Sequence, residues 1–374
     1  MINPTLIWFL CLPILVGLCL WYVRRNERDS WQPAAINTGI GILVIAASFG
    51  ISSGVATMDV EIWNGKITAK DRIHDTYEQS YSCNCRTVSS GSGQNATSTT
   101  VCDTCYETHY TVKWTCNSTV GSWEISKLDS TRRSVYASPD PARWKAIQIG
   151  EPASRRHNYT NYVQAVPQSL FTPSSAGLKQ KFAALIPAYP DNVYDVYRLN
   201  RFLTPGYSTP DAPLWNNDIS MMLRELGPTK QVNTIVVIAK TDDPNYEYAL
   251  RDAWEGANKN DVVLVIGSAQ FPKIDFVRVL TWSRAENFKI ELRDSVLALG
   301  TIQREPIMGL LQLQISKNFV RRQMREFKYL ESEIDPPTWL LAVLAVIIPL
   351  GGLVTYGVVT GFFARNQKSR FTRR

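Results

Sequence analysis

Histidine is scarce in this chain: three in 374 residues, at His74, His109 and His157. Imidazole-based catalysis therefore has few candidates. The sequence contains no Gly-x-x-x-x-Gly-Lys phosphate loop, no Gly-x-Ser-x-Gly elbow and no His-Glu-x-x-His pair. These absences remove P-loop nucleotide hydrolysis, the α/β-hydrolase nucleophile and the zincin site. No repeat with a period of about 20 to 50 residues is visible, which excludes solenoids and propellers. Charge is missing from three stretches: residues 1–23, 30–58 and 338–364 hold no Asp, Glu, Lys or Arg. Each is long enough to cross a hydrocarbon core, which takes roughly 20 helical residues. A soluble cytoplasmic enzyme is excluded.

What remains is 45% apolar and 20% charged, which is neither disordered nor collagen-like. The net charge of +7 is unevenly placed. Arg24, Arg25 and Arg28 against Glu27 and Asp29 give +1, and Arg365, Lys368, Arg370, Arg373 and Arg374 give +5. Little surplus is left for the middle of the chain, so the basic character belongs to membrane flanks and no nucleic-acid partner is expected. Both basic clusters should stay cytoplasmic, while Asp59, Glu61, Glu331, Glu333 and Asp335 flank the middle segment on the other side. The first stretch has its positive charges after the apolar run, as an uncleaved anchor does and a signal peptide does not.

The expected organisation is a transmembrane helix over 1–23, a cytoplasmic loop over 24–33 and a second transmembrane helix over 34–58. An exported β-rich Cys domain over 59–165, a Pro-rich connector over 166–230 and an exported α/β domain over 231–335 follow. A third transmembrane helix over 338–364 and a basic tail over 365–374 complete the chain. The chain is expected in the plasma (inner) membrane with its large domain on the periplasmic or extracellular side. Gly50 with Gly54, and Gly357 with Gly361, are small-xxx-small pairs suited to helix packing or oligomerisation. No ionisable residue lies inside a span, so the helices read as anchors.

In 59–165, short alternating runs such as Thr111–Trp114 and Ala146–Ile149 predict strands, and the polar stretch Ser89–Thr100 predicts a hairpin tip or loop. The connector, with eight prolines, should carry short helices near Gly177–Leu185 and Asn217–Leu226. Beyond it, Val232–Ala239, Asp261–Gly267 and Ile274–Trp282 predict buried strands. Asn245–Gly256, Glu286–Leu299 and a long stretch from Arg304 to Glu331 predict helices. Strands alternating with helices imply right-handed crossovers. The fold class is thus an α+β membrane protein with three transmembrane helices, a β-rich Cys-containing finger and a three-layer α/β domain.

Cys11 and Cys19 lie in the first apolar stretch, and five more cysteines cluster at Cys83, Cys85, Cys102, Cys105 and Cys116. Two close pairs joined by a loop suit a four-thiolate zinc site on Cys83, Cys85, Cys102 and Cys105. An oxidising compartment favours two disulfides among the same residues instead. Either arrangement staples a finger with a thin core. His109 could replace one thiol, or simply be exposed.

The strings Ile235–Ala239, Asp252–Gly256 and Lys259–Gly267, followed by a long final helix, resemble the TPM domain. The resemblance covers about 100 of 374 residues. Its usual Asp-Asn-Gly loop reads Asn260-Asp261-Val262 here, and its hairpin rich in Arg, Glu and Gly is replaced by Ile274–Val279. The resemblance implies strand-end carboxylates at Asp242, Asp243 and Asp261, with calcium or magnesium and phosphatase chemistry, or an auxiliary role on membrane complexes. The same acids also suit turns and helix caps. Asp59–Gly65, Cys102–Glu107, Gly150–Pro152 and Asn158–Tyr162 resemble uncharacterised membrane proteins of tailed bacteriophages. Two functions are expected to compete: a membrane-anchored interaction module with an envelope protein partner, and a metal-dependent phosphohydrolase. The orientation has a direct check. Alkaline phosphatase fused after residue 58 should be active in a bacterial host and after residue 364 inactive; the reverse pattern would invert the topology.

Overall fold

The computed structural model describes residues 3–23, 31–90, 97–125, 140–166, 176–195 and 197–371. The basic loop with Arg24, Arg25 and Arg28, the hairpin tip 91–96 and the last three residues lie outside them, as do the side chains of the tail from Gly361 on.

Two apolar helices, α1 (Pro4–Val23) and α2 (Trp31–Ala56), open the chain, and each is long and apolar enough to cross a membrane. The last helix, labelled α10 (Thr338–Phe371), packs beside them around Ile45, Phe49, Leu344 and Ile348. Close approach comes from glycines other than those expected. Gly17 abuts Thr38, Gly41 abuts Pro13, and Gly352 sits against Val16 and the buried Asn37. A Cβ on Gly50, Gly54 or Gly357 would meet nothing within 4 Å, so these three do not line the internal packing surface. Asn3 donates to the Ile334 carbonyl at 2.8 Å and Thr5 to the Asp335 carboxylate at 2.8 Å, which brings the starts of α1 and α10 together.

From α2 the chain enters β1 (Met58–Ser90), which runs antiparallel to β2 (Thr97–Ser118). With β3 (Gly121–Glu124) and β4 (Pro152–Thr160) they form an antiparallel sheet of order β3-β2-β1-β4. Its core is small: Ile67, Cys116, Ile125, Ile147, Ala153 and Tyr197. Between β3 and β4 lies α3 (Ala142–Ala146), so the run Ala146–Ile149 is no strand. Its alternation instead tucks Ile147 into the core between the exposed Ala146 and Gln148.

The α/β unit holds β5 (Phe202–Leu203), β6 (Asn233–Ala239), β7 (Asp261–Gly267) and β8 (Phe276–Thr281) in that order. Alternate residues of the central strands face opposite layers, as the pleat requires. Val236, Ile238, Leu264 and Ile266 meet α6 (Ala212–Lys230), α8 (Glu286–Leu297) and α9 (Arg304–Asn318). Ile235, Val237, Val263 and Val265 meet the layer that holds α7 (Tyr246–Ala253) and Phe182, which follows α5 (Ala176–Lys181). The short α4 (Tyr162–Ala165), capped by Asn161, follows β4 and packs Val163 against Met324, Phe327 and Leu330.

Three expectations change. The connector is part of the α/β unit: it supplies the edge strand β5 and the 19-residue α6. The strand β8 pairs antiparallel with β7, because only a turn and no helix separates them. The helix expected over Arg304–Glu331 stops at Asn318. Phe319 is buried, and Val320 bonds Ser283 through both N–H and carbonyl. A 3-10 helix, Met324–Glu333, follows and meets α10 at 49°.

Gly227 of α6 lies directly on the backbone of Asn64 in β1, where a Cβ would stand 2.7 Å from the carbonyl carbon. Gly227→Ala should therefore destabilise the fold by about 1–3 kcal/mol through overpacking. Gly309 in α9 has open space around it, and Gly309→Ala should stabilise by about 0.5–1 kcal/mol. Denaturant melts of both variants check this; equal effects would refute the α6–β1 contact.

Candidate functional site

Two arrangements stand out: a buried polar seam joining the two sheets, and the ribbon that β1 and β2 form beyond it.

The seam arises because β2 begins to pair with β1 only at Ile67, leaving one edge of the preceding residues bare. Asparagines close that edge. Asn258 donates to Val60 O at 2.8 Å, Asn260 to Ile62 O at 2.8 Å, and Asn64 to Val232 O at 3.0 Å. Behind them Arg201 is 1% exposed. Its Nε donates to Asn233 at 2.8 Å, and its Nη2 to Ser154 at 2.6 Å and to Asn64. Asn233 in turn donates to Asp261 at 2.9 Å, which also accepts from the Tyr189 hydroxyl at 2.7 Å and the Asn258 N–H at 2.8 Å. Burial lowers the Arg201 guanidinium to about 10, so it remains a cation at neutral pH. Burial pushes the Asp261 carboxyl up to about 6, against the three hydrogen bonds that hold it down. Removing Arg201 would leave the buried Ser154 hydroxyl oxygen without its donor, at a cost of about 1–3 kcal/mol, while the Asn64 oxygen still accepts from Ser154 and the Asn233 oxygen from Asn64.

A second knot sits beside the first. Glu61, 1% exposed, accepts from Trp63 Nε1 at 2.8 Å and Arg321 at 2.6 Å, with Lys259 at 3.9 Å. His157 stacks on Trp63 at 3.5 Å between ring centroids, and burial holds its imidazole below the usual range. The Lys259 ammonium lies 4.1 Å above the Tyr159 ring, and burial lowers its pKa. These groups hold four segments together.

Beyond the seam, β1 from Asp71 and β2 to His109 are exposed on both faces, apart from half-covered Cys83, Cys105 and His109. At about 3.3 Å per residue the stretch Asp71–Ser90 reaches about 60 Å. A two-stranded ribbon is marginal in water by itself. Here disulfides join Cys83 to Cys105 and Cys85 to Cys102, with Cα separations of 5.8 and 4.0 Å. They close spans of 22 and 17 residues, each worth about 3 kcal/mol in chain entropy. In this arrangement the four sulfurs are bonded pairwise rather than converging as thiolates on one zinc ion. No group of three or more His, Cys, Asp or Glu that could hold a metal occurs among the described residues. The fifth cysteine, Cys116, is buried in the sheet core as a free thiol. His109 stacks on Tyr77 at 5.4 Å and lies 3.7 Å from Glu107. Ile73, Tyr77 and Tyr81 stand at alternate odd positions on one face, each about half exposed, and the more exposed Tyr106 stands on the other.

The three expected carboxylates are not brought together. Asp242 and Asp243 follow β6 at its C-terminal end, whereas Asp261 opens β7, opposite Asn233 at the N-terminal end. Asp243 binds Lys181 at 2.5 Å and accepts from Asn245 N–H at 2.9 Å, so it shapes the turn into α7, and Lys181 holds its carboxyl below the usual range. Sequence reasoning missed Arg201, Asn233, Asn64 and Glu61. The available signal was a polar residue opening each wholly apolar strand, at Asn233 and Asp261. No protein-family profile, curated protein or solved structure matches this chain.

Asp261 carries a pH dependence. Its folded value lies above the unfolded carboxylate near 3.9. The folded state therefore binds the proton more tightly, and this contribution is full below about pH 4 and lost as pH rises through about 6. The change is bounded by roughly 3 kcal/mol. Denaturation of wild type and Asp261→Asn across that window should show the wild type losing ground as pH rises; a constant difference would contradict the assignment.

Proposed function

We propose that the chain is a membrane-anchored interaction module whose stapled ribbon is the contact element for an envelope protein. The observation that carries this reading is the ribbon itself: about 60 Å of β structure with exposed Ile73, Tyr77, Tyr81 and Tyr106 and two disulfides near its tip. Tyrosine is favoured at contact surfaces because its ring is large, rigid and partly polar. The α10 helix is proposed as the third membrane span, on the support of its apolar packing against α1 and α2. The placement that follows is the host inner membrane, with the ribbon outside, where disulfides persist. The resemblance of several strings to tailed-phage membrane proteins is consistent with a phage-encoded origin.

The phosphohydrolase reading has less support, because Asp261 lies at the far end of the sheet from Asp242 and Asp243. The contact role predicts that a photoreactive residue at Ile73 or Tyr81 gives one discrete heavier adduct in host cells. The same probe at exposed Leu313 of α9 should give none. Tyr77→Ser with Tyr81→Ser should weaken adduct formation about tenfold, as loss of a contact hot spot does, with unchanged thermal stability. Absence of any adduct at both ribbon positions would sink the reading.

A further inference from the structure

A cleft of about 660 Å³ opens beside the seam, between α6, β4 and the edge strand β5. Its volume suits a small-molecule ligand. Arg201, Phe202, Tyr197, Tyr194, Asn200 and Asn217 are among the residues lining it. Arg201 spends Nε and Nη2 on Asn233, Asn64 and Ser154, all neutral. Its Nη1 has no acceptor among the described residues, although the side chain is 1% exposed. A guanidinium edge of an otherwise buried arginine that faces a cleft and lacks an acceptor is a site for an anion.

The surroundings add positive potential. Ala212 and Pro213, which open the 19-residue α6, line the same cleft, and a helix N-terminus favours negative charge. The cleft's carboxylate, Glu151, is already engaged by Arg198 at 2.7 Å and by the Tyr197 hydroxyl at 2.9 Å. Asp261 is one amide removed from Arg201, behind Asn233, and makes no direct contact with the guanidinium. One cation is thus left without a direct counter-charge. The side chains of Asn200, Asn217 and Tyr194 make no hydrogen bond among the described residues and can supply further donors. Phe202 and Tyr197 provide apolar surface for the remainder of a ligand.

We propose that this cleft binds an organic monocarboxylate, its carboxylate on Arg201 Nη1 and its apolar part against Phe202 and Tyr197. A single cation with no directly bonded carboxylate matches one negative charge; a phosphate dianion would bring a second into a low-dielectric site. Trp215 stacks on Phe202 with ring centroids 4.6 Å apart, so its emission reports occupancy.

The test titrates the full chain in detergent micelles with N-acetylphenylalanine, with its neutral carboxamide and with phenyl phosphate, following tryptophan emission. Arg201 variants risk misfolding, so the blocking variant is Asn217→Phe, which crowds the cleft without touching the seam. The expected result is saturable binding of the carboxylate, at least about tenfold weaker for the carboxamide, and lost in Asn217→Phe. The proposal is overturned by unsaturable binding, by equal binding of acid and carboxamide, by tighter binding of phenyl phosphate, or by no effect of Asn217→Phe.

Discussion

A bare strand edge inside a protein must find hydrogen-bond partners or the fold does not form. Here β1 leaves α2 with one edge unpaired; its own Glu61 and Asn64, together with Asn233, Asn258, Asn260 and Arg201 of the α/β unit, close it. Asn258 and Asn260 supply donors for its carbonyls, while Asn64 and Asn233 pass the load from Arg201 to Asp261. The α/β unit could not dock on the antiparallel sheet without this seam. The sheet in turn could not project its ribbon from a fixed base. Because the groups are buried, each is needed by the others: a half-satisfied polar network is worse than an apolar one.

The two sheets divide the work differently. The α/β unit buries nearly continuous aliphatic strands between two helical layers, so its stability comes from area removed from water. The antiparallel sheet has only a handful of core residues at its base and none along most of its length. Covalent bonds replace packing there. Both disulfides lie toward the outer part of the ribbon, far from any hydrophobic support. That is where restricting the unfolded chain is most useful.

Much of this was legible beforehand. Uncharged runs marked α1, α2 and α10, and apolar runs marked β6 and β7, because such patterns follow directly from solvent exclusion. The register partner of Asp261 was not legible: the TPM resemblance implied a ligand end, but parallel pairing with Asn233 put it at the other end. The edge strand β5 is two residues long and carries no periodicity to detect. Proline abundance shortened α6 in the sequence to Asn217–Leu226, whereas Pro213 sits in its permissive first turn and Pro228 in its last. Arg201 and Glu61 were invisible because burial of a charge depends on partners distant in sequence.

The starts of α1 and α10 are tied together through Asn3, Thr5 and Asp335, and α2 feeds β1 directly. The two-sheet body is therefore gripped at both its entry and its exit by one helical stem. A body held by a single stalk can swivel; one held at two points has a fixed bearing. The ribbon then behaves as a pointer rather than a tether, and in the proposed contact role a partner must come to a defined direction and height. Adding residues between Ile334 and Pro337 would loosen one grip and let the pointer swing.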